Sequence, residues 1–313
     1  MSHYYEKFVK GETFKKEDIL KILNDNKVKG EIIDIRYHHF KKIFIKIKEN
    51  EKFFLLKLSL NSHSINLTKN ESDGYSFFTK FDKKKFTLPD YQLINLTENY
   101  ALSRIELIDG KKGNYFEYSK FCINCNQHQI KKVNLNDYIE LMWKKYSTKD
   151  DKENKLFKMM GIITTKFNNT LIPLEASHGD LIHFNSIKNK NDYFIFDLEF
   201  FKQDRAFLYD YLHWHLTPLV NKCAKSKIYS IFFDYTNNLV IKLLKLNIRN
   251  KVNIAEKKIF EILLLLFLFE RSLMLLQILN LKDFENLVSD YEKNLTRKNY
   301  DFTYKLLIKL AKK

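Results

Sequence analysis

The sequence predicts an α+β fold: a small lobe built on an antiparallel sheet, then a larger helical lobe. Three observations carry the prediction. Apolar residues in roughly the first hundred positions recur mainly with period two, as in half-buried strands. Beyond Asn114 the spacing turns helical, and it stays so from Tyr211 to the C-terminus. Between them lies "IDGKKGN" (Ile108 to Asn114), whose two close glycines make it a hinge. The lobes are accordingly set at residues 1–107 and 108–313.

Each element follows from its pattern. "GEIIDIRY" (Gly30 to Tyr37) reads as a strand. In "KKIFIKIK" (Lys41 to Lys48), Ile43, Ile45 and Ile47 alternate with Lys46 and Lys48, so one face is buried. The "ENE" turn leads into "KFFLLKLSL" (Lys52 to Leu60), which completes a hairpin. "TKNESDGYSFFTKF" (Thr68 to Phe81) sets Glu71, Tyr75 and Phe78 at helical spacing, and "PDYQLINL" with "NYALSRIEL" forms a further strand pair. In the second lobe "NLNDYIELMWKKY" and "KENKLFKMMGIITTKFNNTL" read as helices, interrupted by a short hairpin from Asn185 through "YFIFDLEFF". No internal repeat is present.

At 313 residues the chain is long enough for two lobes with real cores, and 45% hydrophobic and 15% aromatic content argues for a folded globule. A net charge of +16 favours anionic partners. The lysines are scattered, with no arginine-rich arm or zinc-finger spacing, so sequence-specific nucleic-acid binding is not expected. The charged N-terminal stretch is not a signal peptide. The three cysteines with no export signal point to a reducing cytoplasm. "IFEILLLLFLFERSLMLLQIL" (Ile259 to Leu279) is interrupted by Glu270 and Arg271, and reads as a buried helix rather than a membrane span.

The polar residues of "SHGDLIHFNSIKNKNDYFIFDLEFF" (Ser177 to Phe201) stand out because they lie among apolar runs. A buried carboxylate is unfavourable unless it is paired, hydrogen-bonded or metal-bound. Asp180 is followed five residues later by Asn185, and twelve after that by Asp197 at the end of an apolar strand. A polar turn between core strands is the plain alternative for any one of them, but not for the joint spacing. "HGDLIHFN…YFIFDLEFF" resembles the catalytic loop and metal segment of the aminoglycoside phosphotransferase and choline kinase-like enzymes, at His178, Gly179, Asp180, Asn185, Asp197 and Glu199.

That resemblance, which spans about Gly30 to Trp214, implies a bilobal protein-kinase-like fold. It also implies an ATP- and Mg²⁺-dependent transfer of phosphate to an alcohol group. Asp180 would orient the acceptor hydroxyl and take its proton; Asn185 and Asp197, with Glu199 more weakly, would offer the hard oxygen ligands that Mg²⁺ prefers. His178 would support the catalytic loop. Lys57, in the otherwise apolar "FFLLKLSL", would hold the nucleotide phosphates, paired with Glu71 fourteen residues on. An edge lysine and a solvated glutamate are the plain readings of these two. The nucleotide would sit between the lobes with its adenine near Glu106 to Ile108. "RAFLYDYLHW" (Arg205 to Trp214) resembles the family's Pro-x-x-Asp-Leu step without its proline, and Asp210 would brace the catalytic loop. More narrowly, "FDLEFF…LYDYLHW" is similar to phosphotransferase-type proteins of bacterial cell-surface polysaccharide synthesis, which implies a sugar or glycan acceptor first, with choline, ethanolamine or an aminoglycoside next.

The sequence departs from the pattern in places. Where protein kinases carry a glycine-rich loop, Tyr37 and Ile43 are joined by "HHFKK", leaving backbone or Lys41 and Lys42 to close over ATP. Leu198 replaces an aromatic. The Asp-Leu-Glu segment and the lack of a His-Arg-Asp arginine favour a small-molecule or glycan hydroxyl over a protein acceptor. A catalytically inactive kinase-like binding protein is the alternative. Cys122, Cys125 and His128 begin a zinc pattern but lack a fourth ligand, so free thiols are expected. His213 and His215 read as core or capping histidines. The basic tail "LTRKNYDFTYKLLIKLAKK" reads as a packed C-terminal helix, and alternatively as a peripheral dock on the anionic inner face of a membrane. Neither acceptor identity nor oligomeric state is encoded in a motif.

Overall fold

The computed structural model describes residues 14–38, 41–80, 87–112, 131–146, 151–182, 184–226, 257–281 and 290–311. Cys122, Cys125 and His128 lie outside these, as do His39 and Phe40 of the β-hairpin connection. In chain order the elements of the first half are α1 (Lys16–Asp25), β1 (Glu31–His38), β2 (Lys42–Glu49), β3 (Lys52–Ser59), α2 (Ser62–Phe78), β4 (Tyr91–Leu96), β5 (Ala101–Glu106), β6 (Lys111–Lys112), β7 (Lys131–Asn134) and α3 (Leu135–Tyr146). There follow α4 (Asp151–Lys166), β8 (Leu171–Ser177), β9 (Ser186–Asn189), β10 (Asp192–Ile195), β11 (Lys202–Ala206), α5 (Tyr209–Ser226), α6 (Lys257–Leu279) and α7 (Asp290–Ala311).

Two compact units emerge. The first gathers the described parts of Met1–Tyr118 and His178–Phe201; the second gathers those of Ser119–Ser177, Lys202–Phe284 and Asp290–Lys313. The first is the expected antiparallel sheet, in the order β1-β2-β3-β5-β4. Asn50 and Glu51 both take positive φ, which suits the right-handed twist of a two-residue hairpin between β2 and β3. Because successive side chains in a strand point to opposite faces, Ile43, Ile45, Ile47, Leu56 and Leu58 all lie on one face. There they form a core with Ile19 and Leu23 of α1. The helix carrying Glu71 begins at Ser62, earlier than the apolar spacing alone suggested, because Asn61 caps it: its side-chain oxygen accepts from the Ser64 amide at 2.7 Å. Strands β9 and β10 form the expected short hairpin and extend to β6.

The second unit is helical as expected, with one correction. Its helices flank a small sheet of order β11-β8-β7 that the helical reading of this region did not include. Helix α4 stops at Lys166, and Asn169 turns the chain with φ 57°, so "LIPLEAS" leaves as a strand instead of continuing the helix. The apolar stretch Ile259–Leu279 is long and apolar enough to cross a membrane by length and composition, with a mean hydropathy of 2.1, yet most of it is buried within this unit. Its Glu270 accepts hydrogen bonds from Lys202, from Arg205 at 3.0 Å and from the Tyr138 hydroxyl at 3.2 Å. Burial would raise the Glu270 pKa, but Arg205 and Lys202 outweigh it and hold the carboxyl at about 2. Lys202 moves the other way: burial, which Glu270 only partly offsets, brings its pKa down to about 7.

Candidate functional site

The site starts from strand alternation. With Leu56 and Leu58 committed to the α1 side, Lys57 must project from the opposite face of β3. Its neighbours there are Phe44 on β2 and Ser103 on β5. The Lys57 ammonium lies 2.8 Å from Glu71 Oε1, 2.8 Å from Asp197 Oδ1 and 3.4 Å from Glu199 Oε1. Lys57 is 5% exposed and Glu71 is fully buried. Burial alone would lower the Lys57 pKa, but Asp197, Glu71 and Glu199 together hold it well above its usual value. At Glu71 burial dominates, pushing the carboxyl up to about 7 despite Lys57. At Asp197 burial is overcome by Lys57, with help from Lys42, and the carboxyl sits at about 2.

Local backbone aims these groups. Asp197 has φ 67°, a left-handed conformation that aspartate tolerates better than most side chains. Gly179 has φ 88°, which suits a residue without Cβ in the turn before Asp180. The side-chain amide of Asn70 donates to the backbone carbonyls of Glu199 at 2.6 Å and Phe201 at 2.9 Å, tying α2 to the acidic segment. Gly74, one turn further along, lets the helix approach closely: a Cβ there would lie 2.9 Å from the Cβ atoms of Leu198 and Phe201.

The loop residues are joined to this cluster through the backbone. Asn185 donates from its side chain to the Asp180 carbonyl at 2.8 Å and to Asp180 Oδ2 at 3.1 Å, while its own carbonyl accepts from the Phe196 amide at 3.3 Å. His178 Nε2 meets the Phe196 carbonyl at 2.9 Å and Nδ1 accepts from the Asp180 amide at 3.3 Å, an arrangement that a neutral imidazole with its proton on Nε2 satisfies. The anticipated residues Lys57, Glu71, Asp197 and Glu199 thus converge, and Asp180 and Asn185 stand together. Glu106 does not join them: its carboxylate pairs with Lys52 at 2.8 Å and its amide donates to the Asp90 carbonyl. Ile108 lies half-buried just after β5. Asp210 belongs to the second unit, buried in the first turn of α5, where a carboxylate suits the helix dipole.

One contributor had little signal in the sequence, and a second was singled out there only together with its neighbour Lys41. Asn70 is marked only by preceding Glu71. Lys42, one of several lysines in β2, is buried and ion-paired to Glu199 Oε2, whereas Lys46 further along the same face is half-exposed.

The donors of Glu71, Asp197 and Glu199 lie within 4.8 Å of one another. Glu71 Oε2 is buried and accepts no hydrogen bond from the described residues. Hard carboxylate oxygens at this spacing fit a divalent ion such as Mg²⁺, with Asn185 as a further oxygen donor on the adjoining loop.

No protein-family model matches the chain, and no curated protein matches it in sequence. Solved structures do match. The choline kinase LicA from Streptococcus pneumoniae superposes with a TM-score of 0.56 at 10% identity, covering 92% of this chain and 98% of that one. Amicoumacin kinase hAmiN, in complex with AMP-PNP, Ca²⁺ and Ami, gives 0.53 at 12% identity over 93% and 96% of the two chains. A choline/ethanolamine kinase family protein from Mesorhizobium loti gives 0.53 at 14% identity over 95% and 94%. These superpositions cover more than nine-tenths of each chain: the chain has the protein-kinase-like fold of the aminoglycoside phosphotransferases and choline kinases.

Proposed function

We propose that this protein is a phosphotransferase that moves the terminal phosphate of ATP, with Mg²⁺, to an alcohol group of a small molecule. The observation that carries the reading is the buried Lys57 ammonium 2.8 Å from both Glu71 and Asp197. An ammonium held this way is pre-positioned to receive phosphate oxygens. Lys57 binds the phosphates, and Glu71 orients Lys57. Asp197, with Asn185 and Glu199, holds the metal, which when bound neutralises charge on the phosphates. Asp180 orients the acceptor hydroxyl and accepts its proton, with Asn185 and His178 keeping the carboxylate in place. The adenine lies along Glu106 to Ile108, in a chain whose residues 1–107 cover the nucleotide and whose residues 108–313 take the acceptor.

The solved neighbours are named for choline, ethanolamine and amicoumacin, which favours amino alcohols and aminated antibiotics as the first acceptors to screen. The sugar or cell-surface glycan acceptor rests on the sequence resemblance alone and comes next in the screen. We place the enzyme in the cytoplasm, where Arg297, Lys298, Lys305 and Lys309, exposed on the packed C-terminal helix, would meet an anionic membrane face.

The test is thermal stability with ATP, with and without Mg²⁺, for wild type and Asp197→Ala. A ligand at a hundredfold excess over its Kd stabilises by about 2.7 kcal/mol. A Mg²⁺-dependent gain in wild type that is lost in the variant supports the reading. No gain in wild type supports instead an inactive binding protein, which the glycine-free connection "HHFKK" between β1 and β2 would suit.

A further inference from the structure

We propose that Lys42 is a second phosphate ligand: when the metal–nucleotide complex enters, its ammonium leaves Glu199 and meets the terminal phosphates, replacing the backbone cradle that a glycine-rich loop would supply. The inference rests on the phosphotransferase reading and deepens it. Lys42 opens β2 directly after a connection that contains no glycine. Its cross-strand partner is Ser59, as Phe44 is the partner of Lys57, so alternation puts Lys42 and Lys57 on the same sheet face.

Burial makes the placement informative. Lys42 is 5% exposed and ion-paired to Glu199, whereas Lys46 and Lys48 on the same strand are half-exposed. A buried ammonium is unfavourable without a counter-charge. Glu199 is also shared, since its other oxygen lies 3.4 Å from Lys57. A divalent ion that engages Glu199 competes with Lys42 for the same carboxylate, and the nucleotide brings the anion that compensates it. Without Lys42, the carboxylates of Glu71, Asp197 and Glu199 would face an incoming polyphosphate with Lys57 as the one neutralising ammonium ion-paired to them among the described residues.

The test uses the full-length chain and its Lys42→Met and Lys42→Arg variants, titrated calorimetrically with AMP and with ATP, each with and without Mg²⁺. Charge-assisted hydrogen bonds contribute about 1.5–3 kcal/mol, so Lys42→Met should bind Mg²⁺–ATP roughly 10- to 100-fold more weakly while AMP binding stays within about twofold of wild type. Lys42→Arg should recover most of the loss, since it keeps the charge. Unchanged Mg²⁺–ATP affinity in Lys42→Met overturns the proposal and leaves the phosphotransferase reading standing. Equal losses for AMP and ATP also overturn it, since Lys42 would then only support Glu199. Absence of Mg²⁺-dependent ATP binding in wild type sinks both.

Discussion

Replacing Gly74 by alanine adds one methyl group at the closest approach between α2 and the acidic segment. That methyl would lie 2.9 Å from the Cβ atoms of Leu198 and Phe201 and 3.0 Å from Phe201 Cγ. Comfortable carbon–carbon contact needs about 3.5–4.0 Å. A Cβ cannot rotate out of the way, so relief requires α2 to move outward, against the two hydrogen bonds from Asn70 to Glu199 and Phe201. Overpacking of this kind destabilises by about 1–3 kcal/mol. Alanine recovers about 1 kcal/mol in helix propensity, so the net change runs from near zero to about 2 kcal/mol of lost stability. Gly161 supplies the control: it is helical, and among the described residues a Cβ there meets nothing within 4 Å. Gly161→Ala should therefore keep the whole propensity gain, and the two variants should differ by about 1–3 kcal/mol, the steric term itself. Equilibrium urea unfolding measures that difference. Because Glu71 lies one turn before Gly74, Gly74→Ala should also weaken the Mg²⁺–ATP stabilisation while Gly161→Ala leaves it intact. If Gly74→Ala stabilised the protein as much as Gly161→Ala, the close contact would not exist and the argument for α2 positioning Glu71 would fall.

Two further predictions concern the second unit. Glu270→Gln leaves Arg205 buried at 1% exposure without its carboxylate, and removing one partner of a buried pair lowers stability by about 3–5 kcal/mol. A urea midpoint equivalent to less than about 1 kcal/mol would show that the network is dispensable. Lys202 has its folded pKa depressed to about 7, below the lysine value in the unfolded chain. Between those values the unfolded state binds the extra proton, so this group's contribution is present at high pH and lost as pH falls through about 7. Wild type should consequently gain stability between pH 7 and 9 relative to Lys202→Met, in paired urea titrations; parallel curves would refute the assignment.

Much of the candidate site was legible because its residues fall in short stretches at fixed spacing. Asp180, Asn185, Asp197 and Glu199 fall within one short segment, and the Lys57–Glu71 pair is separated by one turn and one helix start. The β2–β3 hairpin was equally plain, because Ile43, Ile45 and Ile47 alternate without interruption. The small sheet of β7, β8 and β11 was not: its strands are four to seven residues long, and their runs match a helix as well as a strand. Asn169 gave the local signal, through a backbone turn that nearest-neighbour spacing does not weigh.

By itself the sequence determined which polar residues stand at motif spacing and that Lys57 takes the face of β3 opposite Leu56 and Leu58, because alternation and motif spacing are local properties. Beyond the Lys57–Glu71 pair, only the tertiary structure decided which charges meet. Lys42 and Glu199 are 157 residues apart, and Lys202 and Glu270 are 68 apart. Nothing in a local pattern distinguishes a lysine that will be buried against a distant carboxylate from one that will stay in water. That choice belongs to packing: Asn70 and Gly74 bring α2 against Leu198–Phe201, and the strand pairing of β2 with β3 carries Lys42 to the same face as Lys57.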